Sequence, residues 1–392
     1  MHVTHRTCTT AQRIYGKKTM KTGYNDNKQM VWSAALRGIA ILGIMLHNYC
    51  HWLGFAVKEN EYTFDGEHPM QFWDKLMSLD SDLFIHFFSF LGHYGVPVFL
   101  FVSGFGLVKK YEKESSVEPR GLSEGTIENK TNHAKRSTLN VQHFMAKHFL
   151  KLFRLMIIGY VVFIAVYFLR HNDAATVFSI DHVLAQLTMV INFVYKYPDK
   201  AITPGPYWFF GLMVQLYALY ILLYNRWRNW KVLVVTVFVC WAVQWSADAY
   251  GWGAINFVRY NFIGGVLPFA MGIAYARWGR ELSRMGYLSM ALLSALVVLF
   301  GSFWFHGWLW VPVAVVVGAV STVRLLPSWL LSPAAWVGGL SAAIFVMHPI
   351  ARELIISHYR RNDIYGGIAI YVFTAFAMAM LLRQVLKYIP KP

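Results

Sequence analysis

The sequence predicts an all-α, polytopic integral membrane bundle of about ten transmembrane helices with both termini cytoplasmic. Three observations predict it. Of the 392 residues, 56% are hydrophobic and 14% charged, whereas soluble domains run at about 45–50% apolar and about 25% charged. The apolar residues gather into blocks of roughly 17–25, the length a helix needs to cross about 30 Å of hydrocarbon. Lys and Arg are divided unevenly between alternate connections. With the amino terminus inside, segments 1–31, 109–148, 225–231, 277–285, 324–334 and 388–392 hold 22 of them, against 7 in 53–83, 170–205, 249–257, 304–306 and 358–365. That asymmetry is the positive-inside rule. It also accounts for the formal charge of +16, so no nucleic-acid partner is expected.

Taken in chain order, residues 1–31 are polar and basic, with no apolar core of a cleavable signal peptide. They read as a disordered tail, with Met20 or Met30 as alternative starts. The ten apolar blocks are 32–52, 84–108, 149–169, 206–224, 232–248, 258–277, 286–303, 307–323, 335–357 and 366–387. None shows the period-two alternation of a membrane barrel. Segment 53–83 carries seven acidic and two basic residues and is expected to be an outward acidic loop. Segment 109–147 is rich in Lys, Glu, Ser and Asn and is expected to be a flexible cytoplasmic loop. Within 170–205, DHVLAQLTMVINFVY is amphipathic but short for a span, which fits one interfacial or re-entrant helix. The three cysteines, Cys8, Cys50 and Cys240, suggest neither a disulfide scaffold nor a metal box.

Chemistry concentrates first in LRGIAILGIMLHNY, where Arg37 and His47 share the first span. Titratable side chains inside a membrane are costly and usually mark function. At about 1.5 Å per residue they lie about 15 Å apart along the axis, under a quarter turn apart in facing, so one cavity can receive both. Histidine titrates near working pH and suits general-base chemistry. Arginine near the cytoplasmic face suits phosphate or carbonyl recognition. The plainer alternative, of about equal weight, is a snorkelling Arg37 and a hydrogen-bonded structural His47. His51 stands four residues beyond His47. Such a pair on one helix face can ligate a metal, but Asp80 and Asp82 are the third-ligand candidates by topology, and no metal is expected. Ser103 lies in FLFVSGFGL, whose small residues also suit helix packing. Lys147, His148, Lys151 and Arg154 form a basic cluster at helical spacing, suited to an anionic cofactor or to lipid headgroups. Trp208-Phe209-Phe210, Gln215 and Tyr217 mark the fourth span, and His348 is a second intramembrane histidine in SAAIFVMHP.

In their order and spacing these motifs resemble the acyltransferase-3 family of membrane acyltransferases, which modify glycans and related acceptors. The resemblance runs from Leu36 to the tenth span, through Arg37 and His47, FLFVSGFGL, the stretch ending in Arg154, WFF with Gln215 and Tyr217, Gly264, Gly265 and Gly272, and SAAIFVMHP. It makes 32–388 one membrane domain. There are departures. Nine residues separate Arg37 from His47 where the family often has ten, no proline follows Arg154, and Met213-Val214 stand where many members carry acids.

The resemblance implies an O-acyltransferase of the plasma (inner) membrane. Acyl-CoA, most often acetyl-CoA, would enter from the cytoplasm with its phosphates near Arg37, Lys151 and Arg154. His47, with Arg37, would be catalytic and would activate an acceptor hydroxyl or relay the acyl group. Ser103, Trp208, Tyr217 and His348 would bind substrate or support the site. The acceptor would be a cell-envelope glycan or lipid-linked sugar, met among membrane lipid. A transporter or flippase of an envelope precursor, without acyl chemistry, is the competing class. Against it stand the lack of an internal repeat and of an intramembrane carboxylate for ion coupling. A catalytically inactive scaffold of an envelope assembly complex is a third reading.

Overall fold

The computed structural model describes residues 30–112, 140–359, 363–390 and 392. The expected disordered tail over 1–29 and flexible loop over 113–139 lie outside the described residues. No strand occurs among the described residues.

The first span is α1 (Met30–Cys50). After it come α2 (Glu67–Met77), then α3 (Leu83–Leu91) and α4 (Gly95–Tyr111), joined by a tight turn at Gly92–Tyr94 into the second span. The third span is α5 (Val141–Arg170), followed by α6 (Ala174–Val177), α7 (Ile180–Leu187), α8 (Ile191–Val194) and α9 (Pro198–Ala201). The fourth contains α10 (Trp208–Leu219) and the fifth is α11 (Trp230–Asp248). A short α12 (Trp252–Tyr260) meets α13 (Phe262–Trp278) at a 41° bend. The last four spans are α14 (Arg284–Gly301), α15 (Phe305–Leu325), α16 (Ser328–Tyr359) and α17 (Ile364–Tyr388). Nine helices among the described residues are long and apolar enough to cross a membrane, and the bent pair supplies a tenth. Each coincides with one predicted block, so the polytopic helical bundle is as expected.

The stretch Asp181–Tyr195 differs from the single helix expected. It breaks at Met189, a buried residue with φ 59°, into α7 and α8. The break turns Asn192 inward, where Nδ2 donates to the carbonyls of Trp208 (3.0 Å) and Tyr260 (2.7 Å). The second carbonyl is one the α12–α13 bend frees. Gln215 completes the repair: its Oε1 accepts from the Phe262 amide at 2.7 Å, and its Nε2 donates to Asn261 Oδ1 at 2.9 Å. Broken backbone at membrane depth persists only where protein replaces the lost partners in this way.

α1 runs through the middle of the bundle. Ile41, Met45 and Tyr49 pack into a core with Met156 and Tyr160 of α5, Ile344 of α16 and Tyr371 of α17. Small residues let α1 and α16 cross closely: a Cβ on Gly38 would collide with the Ala334 carbonyl, and one on Gly338 with that of Ala34. By contrast α11 and α14 hold only 22% and 17% of their apolar windows inside the bundle. Their outer faces, with Phe238 and Leu292 exposed, are the lipid-facing wall.

Candidate functional site

His47 sits one turn before the end of α1, buried, at the wall of a cavity of about 490 Å³. Its Nδ1 lies 3.0 Å from the Ser89 carbonyl. A carbonyl can only accept, so Nδ1 carries the proton and the Nε2 lone pair is turned towards the cavity. Close approach of backbone makes this bond possible. A Cβ on Gly92 would lie 2.7 Å from His47 Cβ and 2.6 Å from the Gly43 carbonyl, so glycine there lets the second span press against α1. His51 stacks on His47 with ring centroids 4.7 Å apart, and His93 meets His47 edge-on at 5.6 Å.

The loop after α1 folds back over the bundle, and this is the main surprise of the site. Lys58 Nζ donates to the carbonyls of His51 and Leu53 in the turn just beyond α1. Ser89 Oγ donates to the Val57 carbonyl at 2.6 Å, Trp308 Nε1 to that of Asn60 at 2.6 Å, and Arg259 Nε to that of Glu61 at 2.8 Å. Held at these points, the chain delivers Glu59 and Glu61 into the cavity wall. Glu59 Oε1 is 3.3 Å from His51 Nδ1 and 3.9 Å from His47 Nε2. Part of the expected acidic loop is therefore folded against the bundle, with Glu59 and Glu61 turned into the cavity wall. The third acid beside the two histidines is Glu59, not Asp80 or Asp82. Asp80 is instead paired with Lys75 at 2.7 Å and His86 at 3.5 Å, and Asp82 Oδ1 accepts from Tyr365 at 3.1 Å.

The two inward carboxyls are driven apart. Burial pushes Glu59 up, but the neighbouring imidazoles of His51 and His47 pull it down further, and the net direction is below the usual carboxylate range. Burial and the adjacent Glu59 charge raise Glu61 to about 8, with Tyr62 and Arg259 opposing only in part. The two carboxyls are thus shifted in opposite directions, the pattern that separates a base from an acid.

The same cavity is lined by Arg352 of α16, buried among the helices. Its guanidinium donates to Asn48 Oδ1 at 3.3 Å and lies over the Trp52 ring at 4.6 Å. Trp208, Tyr62 and Tyr260 add an aromatic wall, with Tyr62 and Tyr260 stacked at 3.8 Å. His348 is fully buried, its Nδ1 donating to the Ile344 carbonyl at 3.1 Å, and it lies within electrostatic reach of Arg352 and His47.

Arg37 is not in the cavity wall. It belongs to the opposite end of α1, where its charge acts on Lys151 together with Lys110 and Lys147. Arg37 Nε has no hydrogen-bond partner among the described residues. Tyr217 packs on His148 in the same region at 4.4 Å, and Tyr111 bonds His148 at 3.0 Å. Arg154 turns away and donates to the carbonyls of Leu386 and Ile389 at the end of α17. Ser103 Oγ donates back to the Phe99 carbonyl of its own helix at 2.8 Å. Of the sequence-derived candidates, His47 and Trp208 line the histidine cavity with His348 behind them, while Arg37, Lys151 and Tyr217 group at the basic end.

Glu59, Glu61 and Arg352 were not singled out by sequence. The signal available for Glu59 was an acid eight residues past a histidine pair, which is silent about direction. Arg352 stands beside Glu353 at the edge of its apolar block and looks like an interfacial ion pair.

Two polar centres joined by one buried helix, in a ten-span bundle, agree with a comparison of the sequence with known families. The acyltransferase-3 family model, described as an acyltransferase domain, matches residues 30–383, from the start of α1 to within α17. No curated protein and no solved structure matches the chain. The span of that match, covering both centres and reaching into the last transmembrane helix, makes this chain a member of the acyltransferase-3 family and a multi-pass membrane acyltransferase.

Proposed function

We propose that the protein moves an acyl group, most simply acetyl from acetyl-CoA, to a hydroxyl of a cell-envelope glycan or lipid-linked sugar. The observation that carries this reading is the fixed tautomer of His47: Nδ1–H is held by the Ser89 carbonyl while Nε2 faces a polar cavity beside Glu59. The positive-inside asymmetry assigns the basic end, with Arg37, Lys110, Lys147 and Lys151, to the cytoplasm, together with both termini. Arg37 and Lys151 then hold the donor's phosphates at the face where CoA esters are made. Arg154, committed to the end of α17, supports the third span instead of the donor.

In this reading His47 Nε2 takes the proton of the acceptor hydroxyl as that oxygen adds to the thioester carbonyl. The tetrahedral oxyanion faces the Arg352 guanidinium. On collapse the C–S bond breaks, and the proton on His47 returns to the departing sulfur. Glu59 steadies the transient imidazolium through its 3.9 Å approach to Nε2 and through His51. Trp52, Tyr62, Trp208 and Tyr260 provide flat faces on which a sugar ring can stack.

Mass spectrometry of envelope glycans from a deletion strain and its parent tests the acceptor. Loss of an acyl mass increment on deletion, restored by the wild-type gene and not by His47→Ala, is expected. Glycans unchanged in mass but depleted at the outer surface would favour the transporter class.

A further inference from the structure

We propose that His47 Nε2, His51 Nδ1 and Glu59 Oε1 form a binding site for a divalent cation of the zinc class at the cavity wall, with one coordination position left open. The three ligand atoms all lie within 4.8 Å of one another. Tetrahedral zinc with bonds of about 2.0–2.1 Å sets its ligand atoms about 3.4 Å apart. The His51–Glu59 edge, at 3.3 Å, already has that length. The His47–Glu59 edge, at 3.9 Å, closes with a small rotation of the Glu59 side chain.

Three further features suit a cation. His47 and His51 are four residues apart on the last turn of α1 and the turn beyond it, so both rings leave one face and stack. The Ser89 carbonyl fixes the His47 tautomer with Nε2 free, the outer-shell arrangement that metal-bound imidazoles adopt. Glu59 Oε2 has no hydrogen-bond partner among the described residues, although its carboxylate is turned into the bundle. Two imidazoles and one carboxylate favour zinc-like ions over calcium or magnesium, which take all-oxygen sets. Three protein ligands beside a cavity of about 490 Å³ leave room for water or an acceptor oxygen in the fourth position.

The consequence rests on the acyl-transfer reading above. A cation on Nε2 occupies the lone pair that would accept the acceptor's proton, so the loaded protein is inhibited, and removing the cation restores transfer. No acyl chemistry is routed through the metal.

The test uses the full-length, tag-free protein in detergent, stripped with chelator and titrated with zinc chloride by calorimetry. One equivalent is expected to bind, with absorption spectroscopy at the zinc edge showing nitrogen and oxygen neighbours. His51→Ala and Glu59→Gln should each weaken binding at least tenfold, a loss of the size seen even for outer-shell changes, while eluting from gel filtration as the wild type does. No binding by the wild type, or equal binding by both variants, overturns the site. Labelled acetyl-CoA turnover by stripped and zinc-loaded protein forms the second arm. Faster turnover by the stripped form is expected, and activation by zinc overturns the inhibitory role. If neither form turns over with envelope glycan present as acceptor, the acyl-transfer reading fails while the titration still decides the site.

Discussion

In the proposed reaction His47 would act through its neighbours. Ser89 sets which nitrogen holds the proton, and Glu59 sets the field the second nitrogen feels. Glu59→Gln keeps the shape and removes the charge, so it should lower kcat by roughly 10²-fold, at the lower end of what positioned acid–base groups contribute, with little change in KM for acetyl-CoA. Steady-state kinetics on reconstituted protein checks this, and a KM effect alone would assign Glu59 to binding. Glu61 gives a second prediction. Its folded carboxyl is raised from 4.5 to about 8, so the folded state holds a proton that the unfolded state releases. The stability it contributes is full below 4.5 and is lost as pH rises through about 8. The thermal midpoint should therefore fall across that window, and Glu61→Gln should flatten the fall. His47 was legible in sequence because an ionisable group in an apolar run is costly. Glu59 and Glu61 were not, because a loop acid is cheap wherever water reaches it and only the bonds at Val57, Asn60 and Glu61 reveal that this loop turns inward.

At the scale of elements, α1 is the axis on which both centres hang. Its position depends on the crossing with α16 at Gly38 and Gly338, where any Cβ meets backbone carbonyl. Gly338→Leu should cost about 2 kcal/mol or more, as overpacked contacts do, and should lower the thermal midpoint together with activity. A variant of normal stability would show that the crossing is loose. Gln215→Leu removes the acceptor at the α12–α13 bend and leaves the Phe262 amide without its partner, a loss of about 1–3 kcal/mol. Helix positions were legible throughout, since hydrocarbon thickness fixes the length of an apolar block. The breaks were not. Asp181–Tyr195 has a continuous amphipathic pattern, yet it folds as two pieces because Asn192 is needed at the Trp208 and Tyr260 carbonyls, a tertiary demand with no local mark. The facing of Arg37 and His47 was likewise only half legible. Helical geometry gives their angle and separation, but the neighbours decide that one meets the lysines of α4 and α5 and the other a separate cavity.

The whole molecule is a polarised object. One end gathers Arg37, Lys110, Lys147, Lys151 and the buried Arg277–Glu112 pair at 2.7 Å, and the other gathers His47, Glu59, Glu61 and Glu353. Such polarity suits a reaction that draws its donor from one side of a membrane and its acceptor from the other. Single cysteines at position 28 and at the exposed position 66 should be labelled from opposite sides of inverted and right-side-out vesicles, with the amino-terminal one reached only from the cytoplasmic side. Labelling from the same side would refute the assigned topology. The most direct test of acyl transfer itself is release of free CoA thiol from acetyl-CoA by the purified protein and by His47→Ala, with insertion and folding matched by gel filtration. Wild-type protein should release CoA and give a labelled acetyl product or acetyl-enzyme, while His47→Ala should release none above background. Release by His47→Ala at the wild-type rate, or none by either protein with acceptor present, would contradict the role assigned to His47 and its cavity.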